Sequence, residues 1–108
     1  MTNLNTLRIN DQWISHDVDT RTDETVFTNE SGDTIMSVDC HGYAYYSVNG
    51  GVFPFGKFYL GNNDLWYFKY SNDDVIIQTG NASLIKAEMK VFKQLVQENH
   101  LQLSIRSV

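Results

Sequence analysis

Cysteine, proline and positive charge are scarce in this 108-residue chain, and each shortage excludes something. A lone Cys40 rules out an internal disulfide. A single proline, Pro54, with no low-complexity run, argues against disorder. Eight Lys and Arg stand against 13 Asp and Glu, a net charge of −5. That balance suits neither nucleic acid nor an anionic membrane, and it suits a basic partner. No apolar run approaches the roughly 20 residues a membrane helix needs. Met1–Asn5 lacks the basic and apolar regions of a signal peptide. With the single cysteine, this leads to the expectation of a reducing cytoplasm, as for a bacterial or viral (phage) product.

What the chain does have is aromatic residues in one place. Eleven of its 14 lie between Tyr43 and Tyr70. The hydrophobic fraction of 42% is enough for a core without metal or disulfide, and the length fits one domain spanning residues 1–108. Asn49-Gly50 inside the aromatic stretch supplies the positive φ that a tight hairpin turn demands. Strand-favouring residues flank it, Tyr43–Val48 before and Val52–Phe55 after. Gly51 is read as extending that turn into a bulge. Pro54, with no N–H to donate, marks an edge, a bulge or a strand end. Lys57–Leu60 and Leu65–Tyr70 are two more strands around the turn Gly61–Asp64. In the second, Trp66, Phe68 and Tyr70 share one face, and Leu65, Tyr67 and Lys69 share the other.

Before this stretch, Leu7–Ile9 and Gln12–His16 read as strands around Asn10-Asp11. Asp17–Glu24 reads as an exposed acidic loop. Thr25–Thr28 is a strand and Asn29–Gly32 a turn. In Asp33–Cys40, Met36, Val38 and Cys40 alternate with Ser37 and Asp39, as in a half-buried strand. Beyond Tyr70 come the turn Ser71–Asp74 and the strand Val75–Thr79. From Ala82 to Asn99 the period becomes helical: Ile85, Met89, Phe92 and Val96 form a stripe, widened by Leu84, Val91 and Leu95. Asn81 is the expected cap and Asn99 or His100 the expected stop. Leu101, Leu103 and Ile105 alternate with polar residues, which favours a last short strand over a continued helix.

The fold class these signals define is α+β. An antiparallel meander of six to eight short strands, strongly curved or barrel-like, packs against one long C-terminal helix. A barrel wrapped around that helix is the accepted variant. Residues 1–81 carry 11 acidic and 4 basic residues, a net of −7, whereas residues 82–108 carry a net of +2.

No catalytic constellation stands out. Cys40 and His41 are neighbours on a strand and point to opposite faces, so they form no thiolate–imidazole pair. His16, Asp17 and Asp19 resemble the start of a metal loop. Arg21 then falls where a ligand should be, and the glycine and glutamate of a calcium loop are missing. No catalytic residue, metal or cofactor is assigned. The reading is a small acidic binding protein that engages a basic protein partner, as an inhibitor, immunity or accessory protein would. Its candidate residues are Tyr43, Tyr45, Tyr59, Trp66 and Tyr67, with Asp17, Asp19, Asp23 and Asp64. Two alternatives stand beside it. One is a small-ligand module whose pocket is walled by the aromatic hairpin region. The other is an enzyme whose site is assembled from His16, His41 or Cys40. A homodimer is a further way to cover a sheet with aromatics on both faces.

Overall fold

In a computed structural model, residues 5–9, 11–48, 50–98 and 101 are described. They form eight strands: β1 (Asn5–Ile9), β2 (Gln12–Asp19), β3 (Glu24–Thr28), β4 (Thr34–Val38), β5 (Tyr43–Val48), β6 (Gly51–Leu60), β7 (Trp66–Tyr70) and β8 (Ile76–Gln78). One helix, α1 (Leu84–Gln97), follows. Each strand pairs antiparallel with its sequence neighbour, giving the order β1 to β8. The sheet is curled and not closed into a barrel. This is the expected α+β meander with a C-terminal helix.

The inner face of the curl holds the core. Leu7, Ile14, Phe27, Met36, Val38, Ala44, Phe58, Phe68 and Ile77 are buried there, and Ala87, Val91, Phe92, Leu95 and Val96 meet them from α1. Each fully buried side chain of Phe, Ile or Leu size stabilises the fold by about 1.5–3 kcal/mol relative to exposure. Three rings stack between sheet and helix. His16 lies on Phe27 at 4.3 Å, and Phe27 on Phe92 at 4.3 Å.

Several local expectations change. The loop expected over Asp17–Glu24 shrinks to residues 20–23, because β2 runs on to Asp19 and pairs Asp17 with Val26 and Asp19 with Glu24. Its polar residues simply occupy the face away from the helix. Cys40 does not share the buried face of Met36 and Val38. β4 ends at Val38, and Cys40 is exposed in a turn. Asp39 organises that turn, its Oδ1 accepting from the backbone N–H of His41 at 2.9 Å and of Tyr43 at 3.0 Å. Ile35, which strict alternation would put on the face of Ser37 and Asp39, is buried. Phe27 pairs with Met36 and Thr28 with Thr34, so Ile35 is the extra residue of a bulge and turns inward.

The hairpin needs no bulge at Gly51, which pairs directly with Val48 and leaves a two-residue connection. Gly50 there has φ +80°, while Asn49 lies outside the described residues. The bulge sits at Phe55 instead, since Tyr45 pairs with Pro54 and Ala44 with Gly56. It follows Pro54, whose missing N–H the irregular ladder tolerates. Gly56 does not interrupt the strand. A Cβ there would meet the Lys69 carbonyl and the Phe68 ring, so glycine is what lets β6 and β7 close up.

On α1 the cap is Ser83 rather than Asn81. Asn81 is engaged elsewhere: its side-chain amide donates to the Thr79 carbonyl at 2.9 Å, and its own carbonyl accepts from Trp66 N–H at 2.9 Å. The buried stripe is Ala87, Glu88, Val91, Phe92, Leu95 and Val96, and Ile85 is 41% exposed. The helix is therefore rotated away from Ile85 to bring Glu88 inward. Lys86, Lys90 and Lys93 face solvent as expected. α1 ends at Gln97 with Glu98 as its C-cap, and Leu101 is buried, its N–H donating to the Leu95 carbonyl at 3.3 Å. Asn99 and His100, and residues 102–106 of the strand expected over 101–106, lie outside the described residues.

Candidate functional site

The helix covers one face of the sheet, which leaves the other face open. Strand alternation fixes what that open face carries. One row across it joins Asp17, Val26, Ser37, Tyr45 and Pro54 on β2 to β6. A second joins Tyr43, Lys57, Lys69 and Ile76. A third joins Tyr59, Tyr67 and Gln78. Tyr59 and Tyr67 stack at 5.6 Å, and the Tyr67 hydroxyl accepts from Asn63 Nδ2 at 2.8 Å. Lys57 Nζ sits 4.9 Å over the Tyr43 ring, and toward the β1 edge of the same face Arg8 lies 5.1 Å over Trp13. Among the large side chains here, Trp13, Tyr43, Val52 and Ile76 are 50%, 45%, 65% and 49% exposed.

The nine candidate residues thus divide. Tyr43, Tyr45, Tyr59 and Tyr67 come together on the open face. Asp17 and Asp19 share that face three strands or more away, about 14 Å at ordinary strand spacing. Asp23 and Asp64 stand in turns with φ of 60° and 64°. Trp66 is on the opposite face, packed against the core. Asp19 is also a turn-former: Arg21 N–H and the Arg21 guanidinium hold its carboxyl below the usual range. Consecutive turns of a meander alternate between two rims. One rim carries Asp11, Glu30, Asp33, Asp73 and Asp74, and the other Asp23, Asp39 and Asp64 with Arg21. The acid is a fringe around the sheet, not a single patch.

Compared with protein-family models, with curated proteins and with solved structures, the chain matches none. Function must be read from the geometry.

The residues of the enzyme reading do not converge. His41 and Cys40 are exposed in one turn, while His16 is in the core. His16 Nε2 lies 3.4 Å from Glu88 Oε1, with both side chains 1% exposed. An imidazole beside a carboxylate is a proton-transfer pair in principle, but this one opens onto no described cleft. Among the described residues no three of His, Cys, Asp and Glu are grouped to hold a metal.

A concavity does exist, on the helix side. It is a groove of about 750 Å³ between α1 and the β5–β8 end of the sheet, lined in part by Tyr46, Phe55, Tyr70, Asp73, Gln94 and Glu98. None of the five aromatic candidates walls it. Burial, with Glu98 and Asp73 nearby, pushes the Tyr70 phenol above its usual pKa. The sequence held two signals for this place. Tyr70 belonged to the inward-facing set of β7, and Lys90, Gln94 and Glu98 form a polar line at four-residue steps beside the apolar stripe.

Proposed function

We propose that this chain is a non-catalytic binding protein that engages a basic protein partner through the helix-free face of its sheet. The observation that carries the reading is the composition of that face: four tyrosines on β5 to β7 with Lys57 and Lys69 among them, exposed apolar side chains toward its margins, and carboxylates around the rims. Aromatic centres and charged borders are the anatomy of protein interfaces, where Tyr and Trp supply much of the binding energy. The net of −7 over residues 1–81 supports a basic partner, because it favours encounter with positive surfaces and repels acidic ones.

The experiment is affinity capture from source-cell lysate at low and high salt, followed by binding kinetics with the captured protein. A stoichiometric partner whose association slows with salt is the expected result. Tyr59→Ser with Tyr67→Ser should then speed dissociation at least tenfold, while Asp17→Lys with Asp19→Lys should slow association. A partner indifferent to both pairs of substitutions would overturn the assignment of the face.

A further inference from the structure

The sheet does not close, and its outermost strands are β1 and β8. We propose that the β8 edge is a self-association site, where a second copy of this chain adds its own β8 antiparallel about a two-fold axis. The ladder to β7 fixes which backbone groups are left over. Thr79 N–H donates to the Trp66 carbonyl at 3.2 Å and Tyr70 N–H to the Val75 carbonyl at 3.3 Å, with Phe68 opposite Ile77 between them. Bonded and non-bonded positions alternate in such a ladder. Val75, Ile77 and Thr79 therefore turn their backbone groups toward β7, and Ile76 and Gln78 turn theirs outward. Among the described residues no strand pairs with that side of β8.

An edge meant to stay open usually carries a device against pairing, such as a charge, a proline or a bulge. At the opposite margin β1 carries the exposed Arg8. Residues 75–78 hold no charge and no proline, and Val75 and Ile76 are 48% and 49% exposed. The groove beside α1 borders Ile76, Ile77 and Gln78, so the helix leaves room along the edge. The strand is also complementary to itself. With the axis through Ile77, Ile76 of one copy stands opposite Gln78 of the second, and every outward N–H and C=O meets a partner. The same axis brings Asp73, which precedes β8, alongside Gly80 and Asn81 of the second copy, which follow it. Lys90 stands at that place, its ammonium 3.7 Å from where a Cβ on Gly80 would be. Asp73 and Lys90 border the same groove, and neither has an ion pair among the described residues of its own chain. Acid–lysine contacts across the seam thus oppose the repulsion between two chains of net charge −5. A strand of 3 residues makes a short seam, so the dimer should be weak and concentration-dependent. Ile76 and Gln78 lie at the margin of the open face, and edge pairing extends that face without covering the Tyr59–Tyr67 stack.

The test is sedimentation of the full chain across a wide concentration range, with amide hydrogen exchange at the two ends of that range. A monomer–dimer equilibrium is expected, with the Ile76 and Gln78 amides protected only at high concentration. Ile76→Pro removes an N–H that points away from β7, so it should weaken association at least about tenfold while leaving circular dichroism unchanged. Asp73→Lys and Lys90→Glu should each weaken association several-fold, and a mixture of the two variants should regain it, because the mixed pair restores opposite charges at both ends of the seam. This arm holds even if the proline variant fails to fold. A monomer at every concentration would overturn the proposal, as would a mixture no better than either variant alone. Concentration-dependent protection at Tyr59 and Tyr67 in place of Ile76 and Gln78 would also overturn it, by marking a dimer through the open face. Tyr59→Ser with Tyr67→Ser should leave the dimer intact, so failure of the edge pairing and failure of the basic-partner reading are separate results.

Discussion

His16 on β2 and Glu88 on α1, 72 positions apart in sequence, face each other across the core at 3.4 Å with both side chains 1% exposed. The contact is at the long end of hydrogen-bond range. Nδ1 of His16 has no hydrogen-bond partner among the described residues. The pair ties the helix to the sheet at one position, because only this helix rotation gives Glu88 a polar neighbour. His16→Ala should cost about 3–5 kcal/mol, since it strands a buried carboxyl and removes one ring of the three-ring stack. Glu88→Met should cost about 1–3 kcal/mol through the unpartnered imidazole. The double variant His16→Phe with Glu88→Met should recover most of the stability, because apolar replacement of a buried polar pair is often nearly neutral. Urea denaturation of the parent, His16→Phe, Glu88→Met and the double variant gives the coupling directly. Additive losses would show that the two side chains do not depend on each other.

The meander was legible because its turns announce themselves. Asn49-Gly50, Gly61–Asp64 and Ser71–Asp74 punctuate runs of aromatic and β-branched residues, and short connections allow little but antiparallel neighbours. What stayed hidden is what hydrophobic periodicity does not register. Asp17 and Asp19 looked like loop because the open face of β2 is polar. Cys40 looked like core because alternation was carried past Val38, where Asp39 had already turned the chain. Glu88 sat in the middle of the helix's buried stripe and was invisible there, since a buried glutamate makes sense only once His16 is beside it. The groove was hidden for a different reason: its residues come from β5, β6, the β7–β8 turn and α1, and no local pattern links them. The open-face tyrosines were recognisable as candidates, but sequence alone did not separate Trp66 from them.

Gly42 should be intolerant of a side chain. Its φ is +90°, and a Cβ would stand 2.6 Å from the carbonyl oxygen of Phe58, which belongs to a different strand. The same carbonyl region is tied down, because Phe58 N–H donates to the Gly42 carbonyl at 2.8 Å. Gly32 is the internal control, with φ +85° and open space around its Cβ position. Gly32→Ala should cost about 1–2 kcal/mol, the left-handed backbone penalty alone. Gly42→Ala should cost clearly more, by at least about 1–2 kcal/mol for displacing backbone. Thermal or chemical unfolding of the two variants settles it, and equal losses would mean that φ alone governs both sites.

Tyr70 gives the fold an alkaline dependence. Its phenol pKa is raised above 10.0, first by burial and then by the carboxylates of Glu98 and Asp73. A folded-state pKa above the unfolded value means that the folded protein holds the proton more tightly. The associated stability is complete below about pH 10 and is lost as pH rises through the folded pKa. Tyr70→Phe should therefore flatten the decline in stability above pH 10, and one tyrosine should vanish from the late part of the ultraviolet phenolate titration. In Glu98→Gln that tyrosine should titrate earlier, by less than the full shift, since burial remains the larger cause. An unchanged late phase in Tyr70→Phe would assign it to another tyrosine.

Tyr59 and Tyr67 test whether the open face serves the fold or something outside it. They stack across β6 and β7 at 5.6 Å, on the side away from the helix. A cross-strand pair of this kind is worth roughly 0.2–1 kcal/mol to the sheet. Tyr67 has more local support than Tyr59, because Asn63 donates to its hydroxyl and Gly61 lies under its ring. Tyr59→Ser should therefore lower stability by about 1 kcal/mol or less, and Tyr67→Ser by somewhat more, with the core stack of His16, Phe27 and Phe92 undisturbed. Phe92→Ala, by contrast, should cost about 3–5 kcal/mol as a core truncation. Denaturation curves of the three variants would rank them. A loss at Tyr59 as large as that at Phe92 would make the outer tyrosines structural, and the case for an interface there would fall. A small loss would leave a face of aromatic residues that the fold itself does not require, which is the property expected of a surface kept for binding.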